Sequence, residues 1–185
     1  MPELMPPDVR VQRSFLEAMA EFRTEGRGNP ADASMVGSEM RAFRTSWASP
    51  EGFAGFVAAL RAQSRGEQLA PGYVASTTLW WLDGDVYLGR IAIRHSLTPR
   101  LLELGGHIGY DVRPTARRRG HATAMLRAAL PVARRLGVDQ ALITCDSTNL
   151  ASRKVIEACG GQFEDERGGK LRFWVRTQLV AAPGC

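Results

Sequence analysis

Residues Tyr110 to Arg127 read Y-D-V-R-P-T-A-R-R-R-G-H-A-T-A-M-L-R, and the order of residue types in this stretch sets the expected architecture. Ile108, Tyr110 and Val112 alternate as in a strand, and Arg113-Pro114 turns the chain. After Gly120 the apolar positions Ala122, Met125, Leu126, Ala129, Leu130, Ala133 and Leu136 recur at helical spacing. A strand, a basic loop and a helix N-terminus thus follow one another. The first backbone N–H groups of a helix have no intrahelical partners and carry partial positive charge, so they can receive a phosphate. Gly120 lets the backbone approach that phosphate, the small Ala122 keeps the first turn uncrowded, and Arg117, Arg118 and Arg119 offer guanidinium groups to its oxygens.

Downstream, Asn149-Leu-Ala-Ser152-Arg-Lys-Val-Ile156-Glu-Ala-Cys-Gly160-Gly161 reads as an Asn-led helix closed by glycine. Arg117-x-x-Gly120-x-Ala122 resembles the acetyl-CoA pyrophosphate loop of the GNAT (GCN5-related N-acetyltransferase) superfamily. The Asn149 segment resembles the later motif of the same family, a helix beside the pantetheine arm. The resemblance covers roughly residues 73 to 176. It implies an α/β (α+β) fold, with a mixed, mostly antiparallel twisted sheet flanked by helices and a splayed central strand pair that holds acetyl-CoA. It also implies backbone contacts to the cofactor near Tyr110 and Val112, phosphate contacts from Arg117, Arg118, Arg119, Gly120, His121 and Ala122, and pantetheine-side contacts from Asn149 and Ser152.

Composition agrees with a soluble domain. The 185 residues suit one domain, with residues 1 to 70 as a helical lead-in and acceptor-side wall and residues 73 to 177 as the core sheet and cofactor site. No apolar run reaches the roughly 18 residues of a membrane span. No basic start with an apolar h-region opens the chain, so the expected location is cytoplasmic. Of the 24 basic residues only Lys154 and Lys170 are lysine, so the net charge of +5 reflects an arginine bias along the whole chain. Aromatics do not interleave with the arginines as in a stacking platform, and nucleic acid is not an expected partner. Cys145, Cys159 and the terminal Cys185 match neither a disulfide framework nor a metal motif, and no metal is expected.

In chain order, residues 8 to 25 form a first helix with Val11, Phe15, Ala18, Met19 and Phe22 on one face. Residues 38 to 47 suit a short second helix, and Ser49-Pro50 starts a third. Phe53, Phe56, Val57 and Leu60 are read first as core and second as a wall of an acceptor pocket. Residues 73 to 95 read as a hairpin turned at Asp83-Gly84-Asp85, whose Ser76, Thr77 and Thr78 suit either strand structure or the acceptor. Ser96 to Leu102 suits one helical turn. Pro131 predicts a kink or break in the motif helix. Residues 140 to 145 form a buried strand, and residues 162 to 177 a terminal hairpin whose polar face suits pairing with a second subunit.

The resemblance implies attack of an acceptor amine on acetyl-CoA. Such an amine needs a base, the thioester oxygen needs a hydrogen-bond donor, and the departing thiolate benefits from an acid. The family's usual acid is a tyrosine four residues before the glycine that ends the second-motif helix; here that position is Ile156. His107, in a glycine-rich segment, and Glu103 are the candidate bases, with the alternative that the His107 ring bonds a backbone carbonyl. Asp111 and Asp146 rank below them. The expected function is acetyl-CoA-dependent N-acetyl transfer to a primary amine of a small molecule or protein; the alternative is a non-catalytic acyl-CoA-binding sensor module.

Overall fold

The computed structural model describes residues 1–67 and 69–178; Cys185 lies outside them. One seven-stranded sheet runs through the molecule in the order β1-β2-β3-β4-β5-β7-β6. Its strands are β1 (Glu3–Met5), β2 (Ser76–Asp83), β3 (Val86–Arg94), β4 (Ile108–Val112), β5 (Gln140–Asp146), β6 (Gln162–Arg167) and β7 (Lys170–Arg176). All neighbours are antiparallel except β4 and β5, which run parallel and pair only at Ile108 and Ile143. This mixed sheet with flanking helices is the fold the sequence leads one to expect. β1 is the strand that periodicity does not foresee, because three residues are too few to display alternation.

Five helices cover the two faces: α1 (Gln12–Thr24), α2 (Met35–Phe43), α3 (Pro50–Ser64), α4 (His121–Arg135) and α5 (Leu150–Ala158). Alternation within β2 divides the core. Leu79 and Trp81 face α4, where Met125, Leu126, Ala129, Leu130 and Ala133 are buried, while Trp80 and Leu82 face α1 and α3. On the α1 side Phe15 packs on Trp47, Phe53, Phe56, Trp80 and Tyr87, with ring centroids 4.9 to 5.6 Å away. Phe53 and Phe56 are therefore core residues. Ser49 caps α3 by accepting the Gly52 N–H, with Pro50 in the first turn.

Two local expectations are corrected. α4 continues through Pro131 without division, because buried Leu126, Ala129, Leu130 and Ala133 pack the helix on both sides of the proline and hold it together despite the lost backbone bond. The hairpin begins at Ser76, and Tyr73 is exposed outside it. Thr78 is buried and the Thr77 hydroxyl bonds His95 Nε2 at 2.8 Å, so these hydroxyls serve the strand.

Phe15 joins α1 to α3, to Trp47 in the connection before α3, and to the sheet. Phe15→Ala is expected to cost roughly 3–5 kcal/mol, read as a lower urea midpoint with little change in slope.

Candidate active site

The single Ile108–Ile143 pair makes the central gap. His107 N–H donates to Leu142 O at 2.7 Å and the Leu142 N–H donates to His107 Nδ1 at 2.9 Å, closing the base of the fork. Gly106 is required there: its φ is +64°, and a Cβ would lie 2.5 Å from Leu142 O. Beyond Ile108 the two strands continue in the same direction without pairing. Arg113 N–H bonds Leu88 O on the β3 side, so by alternation Tyr110 and Val112 turn their backbone groups toward the open edge. Val112 O there accepts from Arg117 Nε, at 3.1 Å.

A cleft of about 620 Å³ occupies the gap. It draws residues from both faces of the sheet: Tyr110, Val112 and the first turns of α4 and α5 on one side, Asp111 and Arg27 on the other. Gly120 ends the basic loop with φ +80° and has open space where a side chain would stand, next to the free N–H groups of the first turn of α4. Asn149 caps α5 by accepting the Ser152 N–H at 3.0 Å. The Tyr110 hydroxyl lies 2.8 Å from Ser152 Oγ, and burial raises its pKa, so it stays protonated. The cleft thus offers helix N–H groups, an open strand edge and a protonated phenol.

The cleft gathers Tyr110, Val112, Arg117, Arg118, Gly120, His121, Ala122, Asn149 and Ser152 from the sequence-derived cofactor set; Arg119 is exposed and does not line it. Arg117 is already held, since its two terminal nitrogens lie 2.7 and 2.8 Å from the Glu25 carboxylate. Arg113 is held likewise by Glu21 at 2.7 Å. Burial opposes it, but the Thr115 N–H and Arg113 together lower the Glu21 pKa below its ordinary value. His121 Nδ1 accepts from Trp81 Nε1 at 3.3 Å.

Neither candidate base lines the cleft. Glu103 sits on a wide helical turn, Leu101–Gly105, and pairs with Arg167 at 2.7 Å. His107 uses Nδ1 to accept a backbone N–H, which leaves the proton of the neutral ring on Nε2. Its ring accepts from an amide rather than donating to a carbonyl. Burial, and then the charge of Arg94, lower its pKa. Ile156, at the position of the family's usual acid, is fully buried in the core.

Sequence reasoning ranked Asp111 low and did not single out Arg27 or Lys154, all of which line the cleft. Lys154 was legible in principle, because it shares a helical face with Ala151 and Val155. Asp111 faces α2 beside Arg90, to which Glu39 is paired. Burial, opposed chiefly by Arg90 and then Arg27, raises the Asp111 pKa, and burial raises that of Glu39 as well.

A strand fork thus opens onto a helix N-terminus and a second capped helix in one cleft. The comparisons identify the class. Residues 13–162 match the family model described as an acetyltransferase (GNAT) domain, and the chain belongs to that family. Acetyl-CoA is accordingly its cosubstrate. Among solved structures it is similar to RimJ of Mycobacterium smegmatis in complex with CoA-disulfide, at TM-score 0.65 and 17% identity, covering 95% of this chain and 81% of that one. The acetyltransferase MccE, of microcin C7 self-immunity, in complex with acetyl-CoA and AMP, gives TM-score 0.63 and 12% identity over 95% and 92% of the two chains. RimL, a ribosomal L7/L12 α-N-protein acetyltransferase in complex with coenzyme A, gives 0.60 and 15% over 94% and 92%. At these identities the likeness is one of fold. A search of the curated proteins gave no match. No group of three or more His, Cys, Asp or Glu among the described residues is arranged to hold a metal, and no described helix is long and apolar enough to cross a membrane.

Two outcomes follow. Gly120→Glu, which puts bulk and negative charge at the phosphate position, should abolish acetyl-CoA binding by calorimetry while leaving the circular dichroism spectrum intact. His107 has a folded pKa below its ordinary 6.5, so the folded state binds fewer protons than the unfolded chain. Its contribution is complete above about pH 6.5 and is lost as pH falls toward the folded pKa. Urea melts from pH 7 to 5 should show that loss, and His107→Gln should reduce it.

Proposed function

We propose that the protein transfers the acetyl group of acetyl-CoA directly to a primary amine of a small molecule or protein, both substrates being bound together. The observation that carries this reading is the passage through the sheet. Acetyl-CoA on the α4 and α5 side meets an acceptor entering from the α1 and α2 side, and Asp111 stands where the two approaches join. The ribosomal-protein acetylation named for RimL supports an amine acceptor without fixing its kind.

The roles follow from environment. The N–H groups at the start of α4, with Arg118, hold the pyrophosphate, and Arg117 does so to the extent that it leaves Glu25. The open β4 edge bonds the pantetheine amides and supplies a backbone N–H to the thioester oxygen. Asp111 takes the amine proton in place of His107 and Glu103, because it alone of the three lines the cleft, where burial makes it a stronger base than an exposed aspartate. The acceptor nitrogen bonds the acetyl carbon, the carbon–sulfur bond breaks, and the sulfur takes a proton. That proton comes from solvent, while the Tyr110 hydroxyl, with Ser152 hydrogen-bonded behind the phenol, donates a hydrogen bond to the departing thiolate. Ile156 cannot offer that bond.

Asp111→Asn should lower kcat by 100-fold or more toward an accepted amine, with the KM for acetyl-CoA within about two-fold of wild type. The sign for stability is opposite. A carboxyl whose folded pKa is raised makes the folded state bind more protons, so its ionisation at neutral pH opposes folding. The Asn variant should therefore melt no lower than wild type at pH 7.5. A slow enzyme with an unchanged or higher melting temperature fits the assignment; full activity would remove Asp111 from the mechanism. Acetyl-CoA binding without thiol release from any amine in a mixed panel would replace the transferase with an acyl-CoA sensor.

A further inference from the structure

A second cavity, of about 360 Å³, lies on the α1 and α2 side of the sheet. Its apolar wall is Leu16, Met19, Met40 and Trp47, and its charged lining is Arg23, Arg27 and Arg44, with no acidic side chain. Cationic rims on proteins are ordinarily interleaved with carboxylates. Here the acids of α1 are committed elsewhere: Glu21 and Glu17 to Arg113, and Glu25 to Arg117. Among the described residues Arg23 and Arg44 have no side-chain hydrogen bond or ion pair, and Arg27 has only Asp32, at 3.5 Å. Three guanidinium groups around a low-dielectric wall make a positive potential that an anion can neutralise.

One further observation ties this cavity to the cofactor cleft. Arg27 lines this cavity and the cofactor cleft alike, and its charge is among those acting on Asp111. The cavity therefore adjoins the proposed site of amine deprotonation.

Resting on the transferase reading above, we infer that this cavity is the anion subsite of the acceptor, and that the acceptor is a small amine with an apolar body and a carboxylate or phosphate at the end remote from its nitrogen. The apolar wall takes the body, Arg23 and Arg44 take the anion, and Arg27 stands between the anion and the reacting end. Guanidinium forks suit carboxylate and phosphate geometry alike, and the cavity is of the size that holds a small ligand.

Binding tests this without turnover. Protein saturated with CoA is titrated by calorimetry with 4-(aminomethyl)benzoate, 4-(aminomethyl)benzylphosphonate and the neutral 4-methylbenzylamine. At least one of the two anionic probes should bind ten-fold or more tighter than the neutral amine, and which of them does separates carboxylate from phosphate. The double substitution Arg23→Ala with Arg44→Ala should bring all three within about two-fold, while acetyl-CoA affinity and melting temperature stay unchanged. Arg23→Lys with Arg44→Lys should restore part of the difference. Equal affinity for charged and neutral probes overturns the inference, as does an anionic advantage that survives the alanine pair. Selective binding of an anion with no thiol release from acetyl-CoA leaves the subsite standing and removes the transferase; acetylation of the neutral amine with no anionic preference does the reverse.

Discussion

Two parallel strands that pair at one residue and then part control the rest of this molecule. A parallel ladder normally satisfies backbone groups on both strands along its length. Here the ladder stops after Ile108 and Ile143, and the edge carrying Tyr110 and Val112 stays open. Unpaired backbone groups in a sheet interior are costly unless something bonds them. The base of the fork is reinforced by reciprocal bonds between His107 and Leu142, and by a glycine without which β5 could not approach. The opening is thus built in and held, and it leaves a ready strand edge for an extended amide-bearing ligand.

The loop that crosses the mouth of the fork is placed by charge. Glu17, Glu21 and Glu25 recur every fourth residue and present one acidic stripe of α1 to Arg113 and Arg117. Single exposed pairs contribute little, but bidentate contacts joined by the Thr115 N–H and hydroxyl fix geometry as well. The basic loop is therefore divided: Arg117 and Arg113 anchor it to α1, and Arg118, with φ of +65°, projects into the cleft. Using α1 acids inward in this way also leaves Arg23, elsewhere on that helix, without an acidic partner among the described residues.

The cofactor half was legible because it is local. A turn, Gly120, and a helical run starting at once after it specify a helix N-terminus that opens on the cleft, and Asn149 announces its cap in the same way. What was not legible depends on pairing across long separations. Asp111 could be placed on the opposite face from Tyr110 by alternation, but that this face meets the gap follows only from where β4 leaves β5. His107 looked chemically promising by its neighbours, whereas its ring is engaged with a backbone 35 residues away. The acidic stripe of α1 was readable as a period of four, yet its partners lie 92 residues downstream.

The cluster around Asp111 has a cost that its position explains. Arg90 is 4% exposed, Glu39 is paired to it, and the buried Tyr87 hydroxyl has no partner among the described residues. Apolar residues in such a place would often be as stable or more so, because buried ion pairs rarely recover their desolvation. Burial also raises the pKa of both Glu39 and Asp111, so the folded protein holds two carboxylates in an environment that disfavours their charge. A purely structural element gains nothing from that arrangement. A group that must accept a proton does, since the environment that penalises its anion strengthens it as a base, and Arg90 beneath it keeps the anion from being lost altogether.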